Sequence, residues 1–126
     1  MAEKKVTKVE DKQIKPITLK DDNNGDIFVL EFDRATVKFA ESRGFKISVF
    51  EDNIINLSAI EEIFYYAFRK HRPKISKAET DKILYEKLGG MPEGMLERLT
   101  DLYLVPFTSL MNTEEKAKNG SMTVEF

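Results

Sequence analysis

Ile27-Phe-Val-Leu-Glu-Phe-Asp-Arg-Ala-Thr-Val-Lys-Phe-Ala-Glu-Ser-Arg-Gly-Phe45 changes its period in the middle. Up to Phe32 it is an apolar run interrupted only by Glu31, as a strand lying on a core requires. Asp33 then stands where its carboxylate accepts backbone N–H groups of a first helical turn. Val37 and Ala40 fall on one helical face, and Gly44 supplies the left-handed residue that ends a helix. A strand over 26–32 that runs directly into a helix over 34–43 follows. The chain is therefore of mixed class, and the stretch holds no reactive constellation of side chains.

Upstream, Ile14, Ile17, Thr18 and Leu19 read as a first strand, separated from the second by Asp21-Asp22-Asn23-Asn24-Gly25. Asn-Gly between two apolar runs is a strong hairpin signal, because both residues tolerate positive φ. A β-hairpin is predicted over 14–32, with a turn longer than two residues. Downstream, Ser58-Ala-Ile-Glu61 has the form of a capping box and opens a helix over 58–72. Ile60, Ile63, Phe64, Ala67 and Phe68 keep helical spacing there, and Pro73 marks the end. Ser76-Lys-Ala-Glu79 opens another helix over 77–88, which carries Ile83, Leu84 and Leu88 and is stopped by Gly89-Gly90. Leu96, Leu99, Tyr103, Phe107 and Leu110 continue the pattern over 93–111, and Pro106, which removes one ladder donor, is predicted to divide or kink that helix.

Residues 112–121 are polar and turn-like, and Met122-Thr-Val-Glu-Phe126 alternates as a short strand able to join the hairpin edge. Residues 1–12 offer only Val6 and Val9 as larger aliphatic anchors and read as a flexible charged arm. The expected fold class is α+β: one mainly α-helical domain over 13–126, with an N-terminal β-hairpin and a short C-terminal strand. There is no internal repeat and no low-complexity segment.

A chain of 126 residues fits one such domain. Lys and Arg number 20 against 22 Asp and Glu, which leaves no strong field to draw the protein onto nucleic acid or an anionic membrane. The absence of cysteine removes disulfides and thiolate metal sites and suits a reducing cytosol. No apolar stretch follows the N-terminal Met-Ala-Glu-Lys-Lys, and nowhere do about 18 apolar residues follow one another, so neither secretion nor membrane insertion is expected.

The chemistry-bearing residues point to structure. His71 is the only histidine, so no histidine cluster can hold a metal. It lies in Arg69-Lys-His-Arg72 at an expected helix end, where cations complement the carbonyl end of the dipole; an anion site is the alternative. Lys20 to Glu31 superficially matches a calcium loop at Asp22, Asn24, Gly25 and Glu31. Its first ligand place is a lysine and its flanks read as strands, which favours a hairpin turn. Glu61-Glu62 and Glu114-Glu115 are adjacent in sequence and diverge on a helix, as solvated faces do. Gly89-Gly90-Met-Pro-Glu-Gly94 follows a helix and lacks the Lys-Ser/Thr pair of a phosphate loop. No enzyme activity, cofactor or metal is expected.

The unusual feature is an apolar surplus. Ile63-Phe-Tyr-Tyr-Ala-Phe68 covers the whole circumference of a helix, and Leu102-Tyr-Leu-Val105 repeats the effect. Two readings stay open: both segments are central core helices, or each keeps a spare face for another chain. A phenol combines contact area with a polar tip, which suits an interface. On the second reading Phe64, Tyr65, Tyr66, Phe68, Tyr103 and Phe107 are the candidate partner-binding residues, and self-association through the aromatic helix or the last helix is expected.

Leu30, Phe32, Arg34, Thr36 and Val37, with the Gly44-Phe45 pair that follows, form a Leu-x-Phe-x-Arg-x-Thr-Val run that resembles the opening of the tail assembly chaperones of siphophages of Gram-positive bacteria. The similarity extends over residues 14–126 as a pattern of hairpin, helices and terminal strand. It implies a protein of the host bacterial cytoplasm that coats the long helical tape measure protein, keeps it soluble and yields to the major tail tube protein as the tail polymerises. The other reading of the sequence is a small helical adaptor or DNA-associated regulatory domain using Arg69 to Lys77.

Overall fold

The computed structural model describes residues 14–50, 56–111, 122 and 125. The arm expected over 1–12 and, apart from Met122 and Glu125, the strand expected over 122–126 lie outside the described residues. The fold is α+β and mainly helical, with an antiparallel two-stranded hairpin at its N-terminal end.

Strands β1 (Ile17–Lys20) and β2 (Ile27–Leu30) pair with Ile17 opposite Leu30 and Leu19 opposite Phe28, so these four apolar side chains share the face turned to the core. Both strands are shorter than the predicted arms because the ladder ends at the Ile17–Leu30 pair, beyond which the Glu31 N–H turns to the Ala67 carbonyl; the turn itself takes six residues. Asp21 accepts from the Asn23 and Gly25 backbone N–H groups, and Gly25 reaches φ 80° as the hairpin signal requires.

The passage from β2 into α1 (Arg34–Ser42) is built by the quoted stretch. Asp33 Oδ1 accepts from the Thr36 N–H at 2.9 Å, and Thr36 Oγ1 accepts from the Asp33 N–H at 2.8 Å, a closed capping box. At the other end Gly44 adopts φ 93°, and the Phe45 and Gly44 N–H groups bond to the Ala40 and Glu41 carbonyls, satisfying groups the helix would otherwise leave open. A short 3₁₀ turn, Ile47–Phe50, occupies part of the long link to the next helix.

Helix α2 (Leu57–Phe68) corrects the predicted start and end. Asn56, not Ser58, caps it by accepting from the Ala59 N–H, which leaves Glu61 free to pair across the fold with Lys77 and Tyr85. The helix stops at Phe68, and residues 69–72 form a turn in which the Arg72 N–H bonds back to the Phe68 carbonyl.

The Ser76-Glu79 box does open α3 (Lys77–Lys82), which widens into a π-turn over Ile83–Lys87 before Gly89 and Gly90, both at positive φ, end it. Helix α4 (Met95–Leu110) is a second correction, since it runs unbroken through Pro106. Buried Leu99, Leu102, Tyr103 and Pro106 hold the axis on both sides of the missing donor.

The core lies around α2, which touches β2, α1, α3 and α4. Beyond the strand, the Glu31 N–H donates to the Ala67 carbonyl at 2.9 Å, so the hairpin is tied to the last turn of this helix. Phe32, Phe45 and Tyr66 join α1 and α2 to Tyr103 of α4 through ring contacts of 5.0–5.7 Å between centroids.

Candidate partner-binding groove

The hub position of α2 answers the question left open by its apolar circumference. Phe64 and Phe68 are fully buried, with rings 5.0 Å apart, and Tyr66 is buried against Phe39 and Phe45. The face of α2 that carries them is packed against hairpin and helices, so these three residues belong to the core. Tyr103, 1% exposed, is core as well. Tyr65 is half-buried, its hydroxyl accepting from the Arg69 guanidinium at 3.1 Å, and Arg69 stacks 4.2 Å above the Phe39 ring. Phe107 is half-buried and stacks on Tyr103. Of the six candidates, only Tyr65 and Phe107 reach the surface, and the buried rings of Tyr66, Phe45 and Tyr103 lie between them.

Phe107 marks a groove. Between α1 and the C-terminal half of α4 lies a channel of about 380 Å³, floored by Val37, Pro106, Phe107 and Leu110 and edged by Arg34, Lys38 and Glu41. On the other side of Phe107 a second hollow of about 400 Å³ runs past Glu41, Gly44, Phe45, Lys46 and Ile47. The two share Glu41 and Phe107 and make one apolar trough with charged edges. Leu104 (41% exposed), Leu110 (63%) and Met111 (67%) continue the apolar surface along α4. The sequence drew attention to Arg34 only as part of the Leu30–Val37 run and to Leu104 only within the apolar Leu102–Val105 segment, and it gave no sign of Lys38 or Met111. A signal was present at Arg34, which occupies the first helical position, where the positive end of the helix dipole disfavours a cation.

Beneath this trough the Tyr103 hydroxyl is buried and has no hydrogen-bond partner among the described residues. Burial, and then the nearby Glu41 and Tyr66, push it up to about 12. An unpaired buried hydroxyl costs about 1–3 kcal/mol. Tyr103→Phe, which keeps the ring contacts with Phe32, Phe45 and Phe107, is therefore expected to raise stability by about 1 kcal/mol in urea unfolding. A loss of that size would reveal a partner for the hydroxyl.

Several other charged residues tie parts of the fold together. His71 Nε2 lies 2.8 Å from Glu31 Oε1, and Lys70 approaches the other oxygen at 3.2 Å; the bond to His71, then Lys70, keep the Glu31 carboxyl below its usual range against the opposing effect of burial. His71 thus serves as a clasp between the end of β2 and the turn after α2. Arg72 donates to the Ile27 carbonyl at 3.1 Å and covers the Phe28 ring. Lys77 bridges Glu61 and Asp81. A larger cleft of about 640 Å³ between the hairpin turn and α3 is lined by both signs of charge, and two of its cations, Arg72 and Lys87, are already engaged, Lys87 by Asp21. Among the described residues no group of three His, Cys, Asp or Glu is placed to hold a metal ion, and no helix is long and apolar enough to cross a membrane.

The chain belongs to the family described as a domain of unknown function (DUF5055), which matches residues 1–126. Comparison with curated proteins and with solved structures gives no match.

Proposed function

Since membership of this family brings no activity with it, we propose from the residues themselves that the protein is a siphophage tail assembly chaperone. It binds helical segments of the tape measure protein, keeps that protein soluble in the host bacterial cytoplasm, and gives way to the major tail tube protein. The observation that carries this reading is Arg34. Leu30, Phe32, Thr36 and Val37 of the run that resembles the chaperones are buried, so folding alone accounts for them. Arg34 is exposed, sits at the disfavoured end of a helix dipole, has no ion-pair partner among the described residues, and edges the apolar trough.

A channel with an apolar floor and charged edges suits one face of an amphipathic helix, with the flanking polar residues of that helix meeting the edge. The adaptor or DNA-associated reading has less support. Of the six cations over Arg69–Lys77, five (Arg69, Lys70, His71, Arg72 and Lys77) are committed to partners inside the fold, and Lys74 is exposed. Co-expression with the tape measure protein of the same genome is the direct test. The expected result is soluble tape measure protein that co-purifies with this chain; equal solubility in its absence rejects the function.

A further inference from the structure

We infer that α1 and α2 together carry a second binding surface, an arginine pair stacked on one ring that takes the carboxylates of an acidic segment in a partner protein. Phe39 and Arg43, four residues apart, share the flank of α1 that meets Tyr66 of α2, opposite the flank of Arg34, Lys38 and Glu41 that edges the trough. Arg43 and Arg69 each follow the last residue of a helix and lie over the Phe39 ring. Their guanidinium carbons stand 5.4 and 4.2 Å from its centroid, and Arg69 also covers Tyr65 at 5.8 Å. The two charges are therefore no more than about 10 Å apart, within reach of each other's field at ordinary salt.

One cation at a helix C-terminus is explained by the helix dipole. Two on one ring are not, because like charges held this close repel. Among the described residues neither arginine has an ion-pair partner. Of the acids on the two helices, Glu61 pairs with Lys77, Glu41 lines the trough on the other flank, and Glu62 is in no ion pair among the described residues. An anion set between the guanidiniums relieves the repulsion.

The stacking also prepares the donors. Arg43 is exposed, and of the five N–H groups of Arg69 one goes to the Tyr65 hydroxyl at 3.1 Å. Guanidiniums laid flat on aromatic rings keep their N–H edges for a ligand, and that fork matches a carboxylate bidentately. Arginine and tyrosine beside a half-buried phenylalanine are residue types that dominate binding at protein interfaces. A nucleic acid would offer phosphates to the same pair. Yet a ring face of Phe39 and of Tyr65, where a base would stack, is already covered, and the chain carries a net charge of −2, so the acidic protein segment is favoured.

The surface lies apart from the trough and stands whether or not the tape measure protein is the ligand there. The full chain is titrated with poly-L-glutamate, followed by calorimetry and by the Nε–Hε NMR signals of the arginines. The Arg43 and Arg69 signals are expected to shift, and Arg43→Gln and Arg69→Gln should each weaken binding about tenfold. Arg43→Lys should recover only part of that loss, since an ammonium keeps the charge without the fork. Lys74→Gln, which removes an exposed cation elsewhere, should leave affinity within about twofold. Arg43 is exposed, so its variants should keep the circular dichroism of the wild type and decide the matter even if Arg69→Gln fails to fold. Unmoved Arg43 and Arg69 signals overturn the proposal, as does a loss in Lys74→Gln equal to that in Arg43→Gln. Binding of oligo(dT) or inorganic phosphate through the same arginines, as tight as that of polyglutamate, also overturns it and makes the pair a nucleic-acid or simple anion site.

Discussion

Phe64→Ala is expected to remove about 3–5 kcal/mol of folding stability, because truncating a fully buried phenylalanine loses its transfer free energy and leaves a cavity that packed neighbours only partly fill. Phe64 lies edge-on to Phe68 in the helix around which hairpin and helices assemble, so the site has little freedom to collapse. Domains of this size are commonly stable by about 5–15 kcal/mol, so the variant should be largely unfolded or close to it. Urea unfolding followed by far-UV circular dichroism measures the effect, with Leu57→Ala as the exposed comparison on the same helix, expected within about 0.5 kcal/mol of wild type. If Phe64→Ala were as stable as Leu57→Ala while self-association disappeared, α2 would be an interface helix and its central place in the core would be wrong.

That experiment addresses the point at which the sequence was least decisive. A helix that is apolar on all sides is either surrounded by its own chain or shared with another, and periodicity cannot separate the two. What separates them is tertiary: β2, α1, α3 and α4 all converge on α2. Local chemistry was far more legible. The hairpin, the Asp33 cap, the Gly44 stop and the Ser76-Glu79 box each depend on a few adjacent residues whose backbone bonding follows from their type.

The errors share one cause, competition between residues distant in sequence. Ser58-Glu61 has the spelling of a capping box, yet Asn56 caps the helix and Glu61 is drawn away by Tyr85 and Lys77, whose bonds to it, Tyr85 first, hold its carboxyl below the usual range against slight desolvation. Pro106 has the spelling of a break, yet the buried neighbours on both sides keep the helix whole. The groove escaped notice for the same reason. Arg34 and Lys38 on α1 and Pro106, Phe107 and Leu110 on α4 are some seventy residues apart in the chain, and only the folding of α4 across α1 sets them on one trough.

That trough yields the sharpest functional expectation. Leu110→Glu should weaken capture of the tape measure protein by about 2 kcal/mol or more, roughly thirtyfold, while leaving the fold intact. Fully burying a leucine contributes about 1.5–3 kcal/mol, and Leu110 is 63% exposed in the free chain, so most of that contribution is still available to a helix laid in the groove. A carboxylate in its place forfeits that gain and must also shed water on the apolar floor, next to Glu41. Stability should move by no more than about 0.5 kcal/mol, because the side chain contributes little to the core. Leu104→Asp is the counter-variant: Leu104 is exposed on α4 but does not line the groove, so capture should be kept. A folded Leu110→Glu protein that co-purifies the tape measure protein as efficiently as wild type would remove the groove as the binding site, even if the chain is a chaperone. Loss of capture in Leu104→Asp alone would move the site to the outer face of α4.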